Sequence, residues 1–288
     1  MTTIAVTGAT GQLGHLVVSS LLDRGVDPAS VVAIVRDPAK AADLAARGVQ
    51  IREADYGQPD ALRAALEGVD RLLLVSSSDV GQRLAHHVNV IDAAEAVGVG
   101  LLAYTSILKA DVTTMLLAKD HQDTEQRLAN ATVPVVLLRN GWYVENYTGQ
   151  LDVTFEHGLL GSGQDGRLNP AGRVDFAEAA AAVLVSDEDQ GGRVYELAGD
   201  EAVTLVEIAA SIAEAAGRPV AYVDLPVEKY AEILAGAGLP VPFNEVIADS
   251  SAAIARGELA SDSRDLAGLL GRPTTPVRDV VREIVAKS

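Results

Sequence analysis

Ile4-Ala5-Val6-Thr7-Gly8-Ala9-Thr10-Gly11-Gln12-Leu13-Gly14 runs a short apolar segment into a G-x-x-G-x-x-G turn and then into the helical spacing of residues 13–22. Glycine permits tight turning and close backbone approach, and the start of a helix presents N–H groups and a positive dipole end to an anion. As the first strand-to-helix turn of an α/β chain, this spacing predicts a dinucleotide pyrophosphate site formed by Gly8, Thr10, Gly11, Gln12, Leu13 and Gly14.

The rest of the first half keeps the same rhythm. β-Branched runs at 3–6, 31–35, 71–75, 101–105 and 135–138 alternate with helical spacing at 13–22, 38–47, 60–66, 80–97 and 121–129. That alternation predicts a parallel sheet with helices on its faces. Asp37-Pro38 reads as an N-cap followed by proline at the first helical position. The later chain is less regular, with strands expected at 194–197 and 220–223 and helices at 204–216, 227–237 and 276–286. Thr204 and Glu207 have capping-box spacing. The division expected is a nucleotide-binding domain over 1–140, completed by about 171–200 and 266–288, and a smaller lobe over 141–170 and 201–265.

Composition narrows the function. The 288 residues carry 40 acidic against 23 basic side chains, a formal net charge of −17 that disfavours nucleic acid and anionic membranes. With no cysteine, thiol catalysis, disulfides and Cys-ligated metals are excluded by count. The scattered histidines suggest no metal site, and neither a membrane span nor a targeting segment is apparent. A cytoplasmic location is expected.

The end of the second strand selects the cofactor. An NAD enzyme usually places Asp or Glu there to bind the ribose hydroxyls; this chain has Arg36, whose guanidinium suits a 2′-phosphate. NADPH is therefore the expected cofactor. Lys40 either adds charge or is a solvated surface lysine. Ser76, Ser77 and Ser78 end the 71–75 strand and are expected to border the cofactor, with Gln82 from the adjoining loop.

Ketone-reducing short-chain dehydrogenases use Tyr-x-x-x-Lys, where lysine lowers the tyrosine pKa so that the phenol can protonate the product alkoxide. None of the seven tyrosines here has lysine four residues later. The chain thus resembles the extended and atypical short-chain dehydrogenases without their usual proton donor. Aligning Glu125 with that family's helix puts Leu117 at the tyrosine position and His121 at the lysine position, so the resemblance makes His121 a candidate for substrate orientation or proton relay, or else a surface ion pair with Glu125. Ser106, at the end of the 101–105 strand, lies in the region where members of the resembled family place a substrate-binding serine, or is an ordinary polar strand end. Aromatic residues are only 4% of the chain, yet Trp142, Tyr143 and Tyr147 fall within six residues after the 135–138 strand. With Asn140 and Asn146 they would suit a flat conjugated acceptor, or pack one lobe on the other.

Taken together, TGATGQLG (7–14), AIVRDPAK (33–40), ADYG (54–57), SSS (76–78), YTS (104–106), H-x-x-T-E (121–125), RNGWYVENY (139–147) and YELAGD (195–200) resemble the bacterial NADPH:quinone oxidoreductase 2 family, among the NmrA-like atypical short-chain dehydrogenases related to triphenylmethane dye reductases. The resemblance implies a doubly wound α/β Rossmann sheet with a smaller interleaved C-terminal α/β lobe. It implies hydride transfer from NADPH to a quinone without flavin, with Asn140 positioning the nicotinamide or the acceptor carbonyl. The missing phenol fits this chemistry: quinone reduction leaves a phenol-like oxyanion of pKa roughly 10, whereas ketone reduction leaves an alkoxide nearer roughly 16. Alternatives are a dinucleotide-binding redox sensor acting through a partner protein, and a reductase of cationic dyes. A homodimer is compatible with the sequence.

Overall fold

The computed structural model describes every residue except 1, 78 and 80. Its strands are β1 (Ile4–Thr7), β2 (Val31–Val35), β3 (Gln50–Glu53), β4 (Arg71–Leu74), β5 (Leu101–Ile107), β6 (Val135–Asn140), β7 (Leu159–Gly161), β8 (Val194–Leu197) and β9 (Tyr222–Asp224). The α-helices begin with α1 (Gln12–Asp23), α2 (Ala42–Ala46), α3 (Pro59–Leu66), α4 (Arg83–Val97) and α5 (Ala118–Leu128). They continue with α6 (Glu145–Thr148), α7 (Leu151–His157), α8 (Arg173–Val185), α9 (Leu205–Ala216), α10 (Val227–Gly236), α11 (Phe243–Ala255), α12 (Asp265–Leu270) and α13 (Val277–Val285).

Seven strands form one sheet in the order β3-β2-β1-β4-β5-β6-β8, and β7 pairs with β9 in a second, two-stranded sheet. The pairs joining β1 through β5 are all parallel, with Ile4 opposite both Val31 and Arg71. Reversal of strand order beside β1 creates the crevice at the carboxyl edge where open α/β sheets bind ligands. The chain thus has the doubly wound α/β architecture.

Two compact units share the chain. The first comprises Met1–Ile107, Asp120–Arg139 and Phe176–Tyr195, the second Leu108–Lys119, Asn140–Asp175 and Glu196–Ser288. In the first, Val32, Ile34, Leu72, Leu74 and Leu102 of the sheet are buried in one cluster with Leu62 of α3 and Ile91 of α4. Parallel strands covered on both faces read as unbroken apolar runs, which is why β2 and β4 are visible in the sequence. β3 is not, because Gln50 and Glu53 are exposed and the strand lies at the sheet edge.

In the second unit Thr204 caps α9 reciprocally: Glu207 N–H donates to Thr204 Oγ1 at 3.2 Å and Thr204 N–H to Glu207 Oε2 at 2.7 Å. α9 packs with α13 and α10 with α11. Asp175, 1% exposed, accepts from Arg272 Nη2 and from Thr275 N–H, both at 2.8 Å, which ties the C-terminal segment to the start of α8. Among the described residues no helix is long and apolar enough to cross a membrane.

Leu72 is fully buried in the sheet, whereas Val206 on α9 is 56% exposed. Leu72→Ala should lower the unfolding free energy by about 2–5 kcal/mol, and Val206→Ala should change it by less than about 0.5 kcal/mol. Urea unfolding of the two variants beside the parent chain checks both.

Candidate functional site

The β1–α1 turn is built from close backbone contacts. Gly8 has φ +58°, and a Cβ on Gly14 would sit 2.4 Å from the Gly8 carbonyl oxygen and 3.0 Å from Ala9 Cα. Gly11 N–H donates to Gly8 O at 2.8 Å. α1 begins without a side-chain cap and without an acidic residue in its first turn. An anion meets no competing carboxylate at that helix start.

Around this turn lies a cavity of about 600 Å³, within the range of small-ligand sites of roughly 300–1,000 Å³. Gly8, Thr10, Gly11, Gln12, Leu13 and Gly14 line it together, as the glycine spacing predicts, and Arg36, Lys40, Ser76 and Ser77 line it too. The cavity walls come wholly from the first unit. Asp37 accepts from Ala39 N–H at 3.0 Å as the cap of a short 3₁₀ turn, leaving the exposed Arg36 and Lys40 as the charged side chains of the β2 end. A glycine cradle, an uncapped helix start and two cations on one wall fit the phosphates of NADPH.

Sequence reasoning passed over Ala54, Asp55, Tyr56 and His86, which also line the cavity. Tyr56 OH donates to Thr7 Oγ1 at 2.5 Å and lies 2.9 Å from Val75 O, tying the β1, β3 and β4 ends together. Burial raises its pKa, so the phenol stays protonated. The signal was the ADYG run at 54–57, which belongs to the resemblance but has no assigned place in the site because the polar strand before it does not read as one. Gln82 is exposed at the start of α4 and does not line the cavity, and Ser78 falls outside the described residues.

Ser106 and His121 occupy buried hydrogen bonds. Ser106 Oγ donates to Glu125 Oε1 at 2.5 Å, and Arg139 grips the same carboxylate through Nε at 3.0 Å and Nη2 at 2.7 Å. His121, 5% exposed, pairs through Nδ1 with Tyr104 OH at 2.8 Å. The surface ion pair between His121 and Glu125 is therefore not formed: the imidazole is inside and Glu125 is held by Arg139.

The remaining candidates belong to the second unit. Asn140 donates from Nδ2 to Tyr143 OH at 3.2 Å, while its buried Oδ1 has no hydrogen-bond partner. The Arg173 guanidinium lies 4.8 Å from the Tyr143 ring centre, and Arg173 N–H donates to Glu145 at 2.9 Å. Trp142, Tyr143 and Tyr147 are half-buried and Asn146 is exposed. Burial, with Tyr230 and Tyr222 nearby, raises the Tyr147 pKa; Trp142 opposes the shift.

Residues 1–261 match the family model described as the NmrA-like family. The chain belongs to the NmrA-like family. Quinone oxidoreductase 2 of Escherichia coli (strain K12) is 47% identical over 98% of both chains. The crystal structure of an NADPH-dependent quinone oxidoreductase from Escherichia coli complexed with NADPH matches this fold with a TM-score of 0.92, covering 98% of this chain and 99% of that one. The Citrobacter sp. triphenylmethane reductase complexed with NADP(H) matches with a TM-score of 0.91 at 35% identity, covering 98% of this chain and all (100%) of that one.

The buried histidines give this family member a pH signature. Burial, helped by the charges of Arg83 and His86, pushes His87 down to about 3. Burial, with Arg83 and His87, likewise holds His121 well below its usual value. Both rings are neutral in the folded chain, but unfolded each would take a proton near pH 6.5. Below about pH 6.5 the unfolded state binds more protons, so this contribution to stability is intact above that pH and is lost as pH falls toward 3. For His87 the loss at about pH 5 is about 2 kcal/mol. The fall in unfolding free energy between about pH 7.5 and 5 should be smaller in His87→Gln by that amount, as urea titrations at the two pH values will show.

Proposed function

We propose that the chain reduces a quinone with NADPH, passing the hydride directly to the acceptor without flavin. The observation that carries this reading is the 600 Å³ cleft in which the Gly8–Gly14 cradle meets Arg36 and Lys40. Full-length similarity to Escherichia coli quinone oxidoreductase 2 supports the acceptor class. NADPH supplies a hydride when bound; a quinone takes that hydride and one proton, giving a hydroquinone and NADP⁺.

In this reading Gly8, Gly11 and Gly14 admit the pyrophosphate to backbone N–H groups near Thr10, Gln12 and Leu13, and Arg36 holds the 2′-phosphate with Lys40 beside it. Ser76 and Ser77 border the cofactor. Asn140, with its unpartnered Oδ1, orients the nicotinamide amide or the acceptor carbonyl. Trp142, Tyr143, Asn146 and Tyr147, in the smaller lobe, receive the flat acceptor. Ser106 and His121 support the reaction from their buried hydrogen bonds rather than as proton donors. A hydroquinone oxyanion of pKa roughly 10 takes its proton from water, so the missing phenol costs little. The setting is the cytoplasm, and the partner is a small molecule.

Initial rates of NADPH oxidation by purified, flavin-free protein with a small soluble benzoquinone, beside a protein-free blank, test the reading. Protein-dependent turnover is the expected result. Tight NADPH binding without turnover, also with a cationic triphenylmethane dye as acceptor, would overturn it in favour of a redox sensor.

Trp142→Ala should raise the acceptor KM by about 3–10-fold through lost stacking while leaving the NADPH Kd within about twofold. Steady-state kinetics with varied quinone, together with NADPH titration of the same variant, checks the split.

A further inference from the structure

We propose that His87 is a positioning residue for the dinucleotide cleft, its neutral ring locked as the Nδ1–H tautomer and strapping the Ser76–Ser77 exit of β4 into the cofactor-binding wall. This rests on the functional reading above, which makes that wall the NADPH site.

The Ser77 peptide is held at both polar ends by α4. Its N–H donates to His87 Nε2 at 2.9 Å and its C=O accepts from Arg83 Nε at 2.6 Å. A backbone N–H can only donate, so His87 Nε2 carries no proton and, in the neutral ring, Nδ1 does. Nδ1–H then donates to Thr124 Oγ1 at 2.9 Å, and the Thr124 hydroxyl in turn donates a hydrogen bond to the Asp120 carbonyl at 2.7 Å. Each donor in this chain finds one acceptor, and the order of donation leaves a single ring tautomer.

Both straps are anchored on α5. Thr124 holds His87, and the Asp120 carboxylate lies 3.6 Å from Arg83 Nη1. His87 and Thr124 are fully buried and Arg83 is 6% exposed, so water does not substitute for these partners. Beside them, Ser76 N–H donates to Thr105 Oγ1 at 2.8 Å on β5.

Ser76 and Ser77 line the cavity, whereas His87, Arg83 and Thr124 do not. His87 therefore acts on the cofactor through the Ser77 peptide. The groups facing its ring are Arg83 and His86 on α4, Tyr104 on β5, and Asp120, His121 and Thr124 on α5. Protonation of the ring would set Nε2–H against the Ser77 N–H, donor to donor, and open the strap.

Side-chain length separates this role from mere packing. Gln at 87 can place Oε1 where Nε2 stood and accept from Ser77, whereas Asn reaches only the Thr124 side and Leu fills space without a polar atom. Calorimetric titration with NADPH should give a Kd raised about tenfold in His87→Leu and His87→Asn but within about threefold of the parent in His87→Gln, with the acceptor KM unchanged in all three. NADPH affinity within twofold of the parent in the Leu and Asn variants, or a Gln variant as weak as Leu, overturns the proposal. ¹⁵N NMR of the unaltered protein at neutral pH decides the strap without any substitution: a neutral Nδ1–H ring at His87 is expected, and an Nε2–H or charged ring refutes it. A parent chain that bound no NADPH would refute the functional reading instead, and the NMR result would still decide the tautomer.

Discussion

The backbone of Gly14 lies against that of Gly8, where an added Cβ would meet the Gly8 carbonyl oxygen at 2.4 Å, and the site is organised around that approach. It brings α1 hard against the end of β1, aims an uncapped helix start at the cleft, and leaves space between the β2 and β4 ends for a ligand. No side chain can stand at Gly14 without moving backbone, so the turn excludes the usual variety of residues on steric grounds alone. Arg36 and Lys40 bring positive charge to the cavity at the β2 end, Asp55 and Asp79 line it elsewhere, and the Ser76–Ser77 backbone closes its far side.

Much of this was legible in the sequence, and the parts that were not share a cause. β1, β2, β4, β5 and β6 are marked by apolar or β-branched runs, and the Thr204–Glu207 capping box announces α9. Runs of that kind report burial, and β3 has none because it is an edge strand with exposed Gln50 and Glu53. Missing β3 meant missing Asp55 and Tyr56, which follow it into the cavity. β7 is only three residues long, too short to show an apolar run. The glycine cradle, Arg36 and the serines needed only their place after a strand. His121 was ambiguous because its partner is Tyr104, seventeen positions away in sequence, rather than the nearby Glu125.

The polar groups near the sheet's carboxyl edge divide into two kinds. Thr10, Arg36, Lys40 and Ser76 line the cavity. Ser106, Glu125, Arg139, Tyr104, His121, His87 and Thr124 are spent on each other, in hydrogen bonds that fix the helices and strand ends behind the cleft. An enzyme that must protonate an alkoxide needs an acid among the first kind. His87 and His121 belong to the second kind, while His86 lines the cavity. No Tyr-x-x-x-Lys acid stands among the first, consistent with an acceptor whose reduced oxyanion is stable enough to collect a proton from water.

All of this turns on whether the cleft holds a 2′-phosphorylated dinucleotide. The most direct test is calorimetric titration of the purified chain with NADPH and with NADH, repeated on Arg36→Ala. NADPH should bind at least about tenfold more tightly than NADH, and Arg36→Ala should remove most of this preference by weakening NADPH alone. Equal affinity for the two cofactors, or equal losses of both on removing the guanidinium, would contradict it.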